Sequence, residues 1–157
     1  MSDTQARVAE LLALYRRSHY AVALPDGAAA VMRIGEPAPS PITGWIGEAG
    51  FAVFLTACNP HSQPLAPEDN AMRMADLQRR LRATTARWLD GHGAIPGEAW
   101  REPGLLVAGI PLASIDALAR TFGQNASVHV RARGPARLRL HRADWLLEAA
   151  DIERDDG

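Results

Sequence analysis

The sequence contains no lysine, and all 17 of its basic residues are arginine. This absence excludes a Walker lysine, a Schiff base with a carbonyl substrate or with pyridoxal phosphate, and a lysine general base. The single cysteine, Cys58, excludes an internal disulfide and any CxxC redox or four-cysteine zinc site. Because Cys58 follows an apolar run, we interpret it as a buried thiol rather than a nucleophile.

Other signatures are also missing. No GxSxG, Gly-rich phosphate loop or dinucleotide fingerprint occurs, so we expect no cofactor. The five histidines are scattered along the chain without metal-ligand spacing, so we expect no metal site. The sequence has neither a signal-peptide pattern nor an apolar run long enough to cross a bilayer, and we expect a cytoplasmic protein that does not contact a membrane.

What remains is typical of one compact domain. The 157 residues are 47% hydrophobic and 22% charged, which is enough to build a core, and we expect a single domain over residues 1–157. The net charge of -1 makes the chain as a whole a poor polyanion binder. The oligomeric state is left open.

The N-terminal third predicts a helix and a hairpin. Ser2 and Gln5 have capping-box spacing, and apolar residues then recur at helical intervals, which predicts a helix from about residue 4 to about residue 17. Two strand-like runs flank Pro25-Asp26-Gly27, which predicts a β-hairpin over residues 20–34.

From residue 51 the order of elements is strand, helix, strand, strand, helix, strand. This order predicts an α+β, ferredoxin-like βαββαβ core over about 51–141, to which the N-terminal helix, the β-hairpin and a C-terminal strand/helix are added. The continuously apolar runs FAVFLTA and LLVAGI would be the central strands, and the alternating runs would be edges. The glycine-rich run DGHGAIPGEAWREPG is interpreted as a loop.

This topology would bring polar residues from four connections to one end of the sheet. The candidate site residues are Asn59, Asn70, Arg73, Trp100, Glu102, Gln124 and Asn125. Our leading hypothesis is that the protein binds a small polar or anionic ligand, nucleotide-like in character, at this end of the sheet. Arg73 and the NH groups at helix N-termini would bind the anionic group. Asn59, Asn70 and Gln124 would orient the ligand, Trp100 would form an apolar wall, and Glu102 is the candidate catalytic acid or base.

Two alternatives remain open. In the first, these residues are structural: Asn59-Pro60 is a turn, and Arg73 forms a salt bridge with Glu102 that fastens a loop to a helix. In the second, the Arg131–Arg142 face acts as a protein- or nucleic-acid-interaction module without catalysis. A three-residue turn would place Arg131 opposite Arg139 there, but no aromatic residues are interleaved to stack bases, which favours a solvated face neutralised by the acidic tail.

Four segments together resemble a known family. They are TACNPHSQPL, the NAMR of the following helix start, WREPGLLVAGI and LARTFGQNA. They resemble the bacterial domain-of-unknown-function family DUF3293 over roughly Thr56 to Leu140. The resemblance groups Asn59, Pro60, Asn70, Arg73, Trp100, Glu102, Gln124 and Asn125 and implies no particular activity. His61, the N-terminal helix and the acidic tail lie outside the matching pattern.

Overall fold

The computed structural model describes residues 2–155, which form one mixed sheet of eight strands and four helices. The sheet curls into a half-barrel. The order of strands across it is β2-β1-β4-β5-β3-β6-β7-β8, with every pair antiparallel except β7 and β8. The strands are β1 (His19–Ala23), β2 (Ala29–Met32), β3 (Phe51–Leu55), β4 (Arg87–Ala94), β5 (Arg101–Ala108), β6 (Ala126–Arg131), β7 (Arg137–Leu140) and β8 (Ile152–Arg154).

The helices divide between the two faces of the curled sheet. They are α1 (Asp3–Arg17), α2 (Ser40–Ile46), α3 (Pro67–Arg82) and α4 (Leu112–Thr121). The apolar residues of α1 and α2 pack with the concave face around Phe54, whereas those of α3 and α4 pack with the convex face around Leu55. Alternate residues of each strand therefore enter two separate cores. None of the helices in residues 2–155 has the length and hydrophobicity needed to cross a bilayer.

The predicted N-terminal helix and the two helices of the predicted strand-helix order are confirmed. Ser2 and Gln5 form the capping box at the start of α1, and Pro67 occupies the first turn of α3. Gly123, just beyond α4, has a φ of 67°, the left-handed conformation expected of a terminating glycine. Local capping chemistry is thus sufficient to locate these helix ends.

The prediction of a ferredoxin-like βαββαβ core is wrong. The four strands between residues 51 and 131 lie side by side, but the sheet does not end with them, because β4 also pairs with β1 and β6 also pairs with β7. The predicted N-terminal hairpin is therefore an integral part of the sheet and not an addition. Beyond β7, the regular structure in the described residues is the short strand β8, without the expected C-terminal helix.

The run predicted to be a glycine-rich loop instead forms most of the β4–β5 hairpin. Gly91 pairs directly with Gly104, and the Phe54 ring lies over Gly104, where a Cβ would approach it within 2.5 Å. A Cβ on Gly91 would lie 2.2 Å from the carbonyl oxygen of Ala21 on β1. Glycine is required at Gly91 and Gly104 because the concave face has no room for a side chain at these two positions, where the strands curl tightly.

The curl is sufficient to bring distant parts of the sheet together. Ile34, just after the edge strand β2, forms a parallel bridge with Ala136, just before β7. Pro37 and Pro135 form a second bridge beside it. The half-barrel is therefore closed at this end by backbone contacts.

The curl of the sheet predicts that alanine substitution will have very different effects on stability at two nearby glycines, Gly91 and Gly93. Gly91→Ala should lower the free energy of unfolding by at least about 2 kcal/mol, because its methyl group would overlap the Ala21 carbonyl. Gly93→Ala is the matched control on the same face of β4, since its nearest heavy atoms would lie 3.5 Å away, and it should change stability by less than about 1 kcal/mol. Urea unfolding measures both. Equal effects would contradict this account of the curl.

On the convex side, β7 and β8 form a buried ionic cluster with α4. The Arg139 guanidinium donates to both carboxylate oxygens of Asp116 at 2.8 and 2.7 Å and to Glu153 at 2.5 Å. Glu153 also lies 2.9 Å from His129, and Asp155 pairs with Arg120. The Arg139, Asp116 and Glu153 side chains are only 8%, 7% and 13% exposed.

The register of the β6–β7 hairpin differs from the predicted one. Ser127 pairs with Arg139 and His129 with Arg137, so the predicted Arg131–Arg139 pairing is wrong. The shift is four residues, an even number, and the basic residues therefore stay together on one face. Carboxylates from α4 and β8 occupy the spaces between them. Asp156, which belongs to the acidic tail, lies outside the described residues.

This cluster predicts acid sensitivity. Burial raises the pKa of Glu153, but the interactions with His129 and Arg139 outweigh it and lower the pKa from 4.5 to about 2. A depressed carboxyl pKa contributes stability that is complete above about pH 5 and is lost as the pH falls towards 2. The free energy of unfolding should therefore decrease between pH 5 and pH 3, and Glu153→Gln should make this decrease smaller by on the order of 2 kcal/mol.

Urea unfolding at several pH values measures the effect. Glu148→Gln, at an exposed position in the same C-terminal region, is the control and should leave the pH dependence unchanged. An identical acid response of Glu153→Gln and the unaltered protein would contradict the role given to Glu153.

Candidate functional site

A cavity of about 380 Å³ lies against the concave face of the sheet. Its lining includes the residues that follow β3, the last residues of β4 and the first residues of β5 and β6, while α1 covers it. This is the sheet end at which the sequence placed the candidate site. Of the seven candidate residues, those that line the cavity are Asn59, Trp100, Glu102, Gln124 and Asn125.

Four aromatic residues form much of the cavity wall. Tyr15 comes from α1, Tyr20 from β1, Phe54 from β3 and Trp100 from the β4–β5 turn. The rings of Tyr20 and Phe54 are 5.3 Å apart and tilted by 57°. Trp100 is 43% exposed and lies beside Gly93, whose missing side chain leaves space for the indole. The wall is thus apolar, with part of the indole open to solvent.

The polar end of the cavity is organised by Asn59. Its Nδ2 donates to Glu102 Oε2 at 2.8 Å, and its Oδ1 accepts from the backbone NH of Leu65 at 3.0 Å. Asn70, at the start of α3, donates to the same Oδ1 at 2.8 Å and accepts from the Asn59 NH at 2.9 Å. Asn70 therefore fixes Asn59, which in turn orients Glu102, although Asn70 itself does not line the cavity.

The loop after β3 is held in an unusual backbone conformation. Asn59, His61 and Ser62 have φ values of 48°, 54° and 59°, in the left-handed region that non-glycine residues seldom adopt. Each costs on the order of 1 kcal/mol or more. The loop is fixed by the contacts of Asn59 and by a 2.7 Å hydrogen bond from the His61 NH to the Gly123 carbonyl. These hydrogen bonds compensate for the backbone strain and keep Asn59 in one orientation.

Arg73 is directed away from the cavity and into the protein. Its guanidinium donates to the carbonyl oxygens of Ala57 at 2.6 Å and Phe122 at 2.5 Å and lies 5.5 Å from the centre of the Phe122 ring. It forms neither the salt bridge to Glu102 considered above nor a contact with the cavity. Arg73 connects the end of α4 to the segment that carries Cys58 and Asn59.

Gln124 and Asn125 form another side of the polar end. The Gln124 amide nitrogen donates to the carbonyls of Cys58 at 3.0 Å and Phe122 at 3.2 Å. Asn125 donates to the Ser62 hydroxyl at 2.9 Å and accepts from Arg142 at 3.0 Å. Both residues are more than nine-tenths buried. Backbone carbonyls fix the Gln124 amide, and the side chains of Ser62 and Arg142 fix the Asn125 amide.

Burial changes the acid–base properties of the cavity. It raises the pKa of Glu102, although the hydrogen bond from Asn59 acts in the opposite direction. Burial also raises the pKa of Tyr15 to about 12 and raises the pKa of the Cys58 thiol. Tyr15 and Cys58 therefore remain protonated at neutral pH, and Glu102 is the cavity carboxyl group best suited to exchange a proton or pair with a cation.

A Ser-His-Asp arrangement occurs in the ionic cluster, and its serine, Ser127, is also among the residues that line the cavity. Ser127 Oγ lies 2.8 Å from His141 Nε2, and His141 Nδ1 lies 2.5 Å from Asp155 Oδ2. Burial lowers the pKa of His141, so the neutral ring accepts from Ser127 and donates to Asp155. The His141 side chain is 0% exposed and Ser127 is 4% exposed. Because the Ser127 hydroxyl is bonded to a histidine that is itself buried and bonded to a carboxylate, we assign the arrangement a structural role.

The same cluster has the donor set of a metal site. Asp116, His141 and Asp155 offer three atoms within 4.8 Å of one another. Arg139 and Arg120 already bind these carboxylates, and their positive charges oppose the approach of a cation. The cluster is therefore better described as an ion-pair network.

The arginine face considered as an interaction surface is largely paired within the protein. Arg139 is buried between Asp116 and Glu153, and Arg131 lies 3.5 Å from Glu153. Arg142 donates to Asp144 and to Asn125. These contacts reduce the positive charge available to an outside polyanion and favour the structural interpretation of this face.

Sequence reasoning missed the contribution of α1 to the cavity. In the sequence, Tyr15 is one of the residues that recur at helical intervals in the N-terminal helix, and Tyr20 begins a strand-like run. Their pattern contains the relevant signal, since both are aromatic residues with a polar group on faces predicted to point inward. Without the curl of the sheet, however, nothing placed them opposite Glu102.

The geometry defines an α+β protein whose curled sheet surrounds a ligand-sized cavity with a carboxylate at its polar end. Residues 55–127, a little under half of the chain, match the model of the family described as "Protein of unknown function (DUF3293)", which confirms the resemblance inferred from the sequence. The matched segment contains all seven candidate site residues. Searches of curated proteins and of solved structures found no match.

The contacts of Arg73 predict a structural role for it. Arg73→Ala should lower the free energy of unfolding by about 2–3 kcal/mol, because it removes two charge-assisted hydrogen bonds. The Ala57 carbonyl then loses its Arg73 donor, whereas the Phe122 carbonyl keeps the hydrogen bond from Gln124. Arg80→Ala is the matched control: Arg80 also lies on α3 over the Phe122 ring, at 5.4 Å, but pairs at the surface with Asp76. It should cost less than about 1 kcal/mol.

Urea unfolding of both variants measures the difference. A stability of Arg73→Ala within the range of the Arg80 control would contradict the structural assignment and would return Arg73 to the candidate ligand-binding residues.

Proposed function

We propose that this protein binds a small organic molecule in the cavity between α1 and the concave face of the sheet. The observation that carries the proposal is the cavity itself, whose volume of about 380 Å³ falls in the range of small-molecule sites. Its composition supports the same conclusion, because binding sites combine an apolar, aromatic lining with a few fixed polar groups.

In this proposal the aromatic wall contacts the body of the ligand. Trp100 keeps the role of apolar wall that the sequence suggested, and Tyr15, Tyr20 and Phe54 join it. Glu102, Gln124 and Asn125 contact the polar part of the ligand. Asn59 positions Glu102, and Asn70 and Arg73 support the loop without contacting the ligand.

The proposed ligand differs in character from the anion expected from the sequence. That expectation depended on Arg73, whose guanidinium is engaged by two backbone carbonyls. Among the described residues, Arg7 is the one arginine that lines the cavity, and it is exposed and lies 3.4 Å from Glu10. This charge distribution supports a ligand without phosphate groups over a nucleotide.

Glu102 is the residue through which binding would extend to catalysis. Its elevated pKa and fixed orientation make it able to give a proton to, or take one from, a bound molecule. We propose binding as the function and Glu102 as the candidate acid or base for any reaction of the bound molecule.

Filling the cavity should abolish binding. N-phenyl-1-naphthylamine, a neutral apolar dye whose fluorescence increases out of water, should bind the unaltered protein. Ala126→Leu should weaken its binding at least about tenfold, because Ala126 lines the cavity and the larger side chain would occupy it. Ala113→Leu, an equal change at an exposed position of α4, should have no effect.

Fluorescence titration of the dye provides the measurement, and native mass spectrometry of molecules that co-purify with the protein provides a second one. Dye binding that is equally strong in Ala126→Leu and in the unaltered protein would place the dye elsewhere and would argue against a cavity ligand.

A further inference from the structure

We propose that the ligand carries a positively charged amine or amidine group, which pairs with Glu102 inside the cavity. This inference rests on the proposed binding function and specifies the chemical class of the ligand. In this inference the aromatic wall surrounds the cationic group, and the acceptors at the polar end receive hydrogen bonds from its N–H groups.

The first argument is that Glu102 lacks a positively charged partner. Asp116, Glu153 and Asp155 on the convex side are each paired with arginine or histidine. Glu102 is partly buried, yet among residues 2–155 its hydrogen-bond donor is the neutral amide of Asn59. A carboxylate removed from water is costly unless a cation accompanies it. In a chain with 17 arginines, this carboxylate is left available for a cation from outside.

The second argument concerns the acceptors at the polar end. Asn59 donates to Oε2 of Glu102, and no donor within the described chain contacts Oε1. Gln124 is 8% exposed and uses its amide nitrogen on two carbonyls, so its Oε1 is likewise without a donor in the described residues. Both residues line the cavity. Two acceptors without donors match a ligand group that has at least two N–H bonds.

The third argument is the aromatic wall. Tyr15, Tyr20, Phe54 and Trp100 line the same cavity as Glu102. Aromatic faces carry partial negative charge and attract cations, and several rings around one site are the usual arrangement for recognising organic ammonium groups. An anion would meet both these faces and the Glu102 carboxylate unfavourably.

The other charges at the cavity do not reverse this preference. Arg7 and Glu98 also line it, but both are exposed, and each has a partner on the protein surface: Arg7 with Glu10 and Glu98 with Arg17. Their opposite charges largely cancel. The charge that decides the specificity is therefore that of Glu102.

Three probes of nearly the same shape test the inference on the unaltered protein. They are benzamidine, which is a cation at neutral pH, benzamide, which is neutral, and benzoate, which is an anion. Isothermal titration calorimetry should give the order benzamidine, then benzamide, then benzoate, with benzamidine at least about tenfold tighter than benzamide. Benzoate that binds as tightly as benzamidine would overturn the inference.

The variant Glu102→Gln tests whether the charge of Glu102 causes the preference for benzamidine. The variant keeps an oxygen that can accept from Asn59 but loses the charge. It should weaken benzamidine binding at least about 30-fold, the loss expected when one member of a buried charge pair is removed, and change benzamide binding less than about threefold. Glu98→Gln, which removes an exposed carboxylate of the same cavity, should change benzamidine binding less than about threefold.

The outcomes separate this inference from the proposed function. Dye binding in the cavity together with no preference for benzamidine would overturn the cation inference alone. Failure of the dye and of all three probes would overturn both. Equal loss of benzamidine binding in Glu102→Gln and Glu98→Gln would mean that benzamidine responds to the overall negative charge and forms no specific ion pair with Glu102. This result would also overturn the inference.

Discussion

The contact on which this structure depends is the Phe54 ring lying over the Gly91–Gly104 pair. A side chain at Gly104 would displace the ring, and one at Gly91 would separate β4 from β1. With both side chains absent, the sheet curls strongly enough for Ile34 to reach Ala136. A flat sheet of the same strands would leave α1 resting on an open surface, and no enclosed volume would remain beneath it.

The two faces of the sheet differ in how their polar groups are satisfied. On the convex face, charged residues from β6, β7, β8 and α4 are buried together and satisfy one another, so little there is available to an outside molecule. On the concave face, packing is apolar but incomplete, and the polar groups at its end are fixed without being fully satisfied. Rigid but unsatisfied groups are a mark of recognition sites, because orienting them beforehand lowers the cost of binding.

How much of this could be read from the sequence depends on how local the determining interactions are. The start of α1 followed from Ser2 and Gln5, because helix capping is decided by residues within one turn. The gathering of Asn59, Glu102 and Gln124 at one sheet end also followed, since strand directions alone bring them there. The glycines of β4 and β5 resemble loop residues in the sequence. They are needed in the strands because Phe54 and Ala21, which are far away in the sequence, occupy the space that a side chain would fill. The partners of Arg73 are two backbone carbonyls, which no residue pattern reveals.

The bridge between Ile34 and Ala136 has a consequence for how the chain reaches this structure. Three of the seven strand pairings join segments widely separated in sequence, namely β1 with β4, β3 with β5 and β3 with β6. Long-range pairings of this kind slow folding, because the long segment between the two strands must close as a loop before they can pair. During synthesis α1 emerges first, yet the strands whose concave surface it covers are completed only with β7. Until then the apolar concave surface is open to water, which is the condition that favours aggregation.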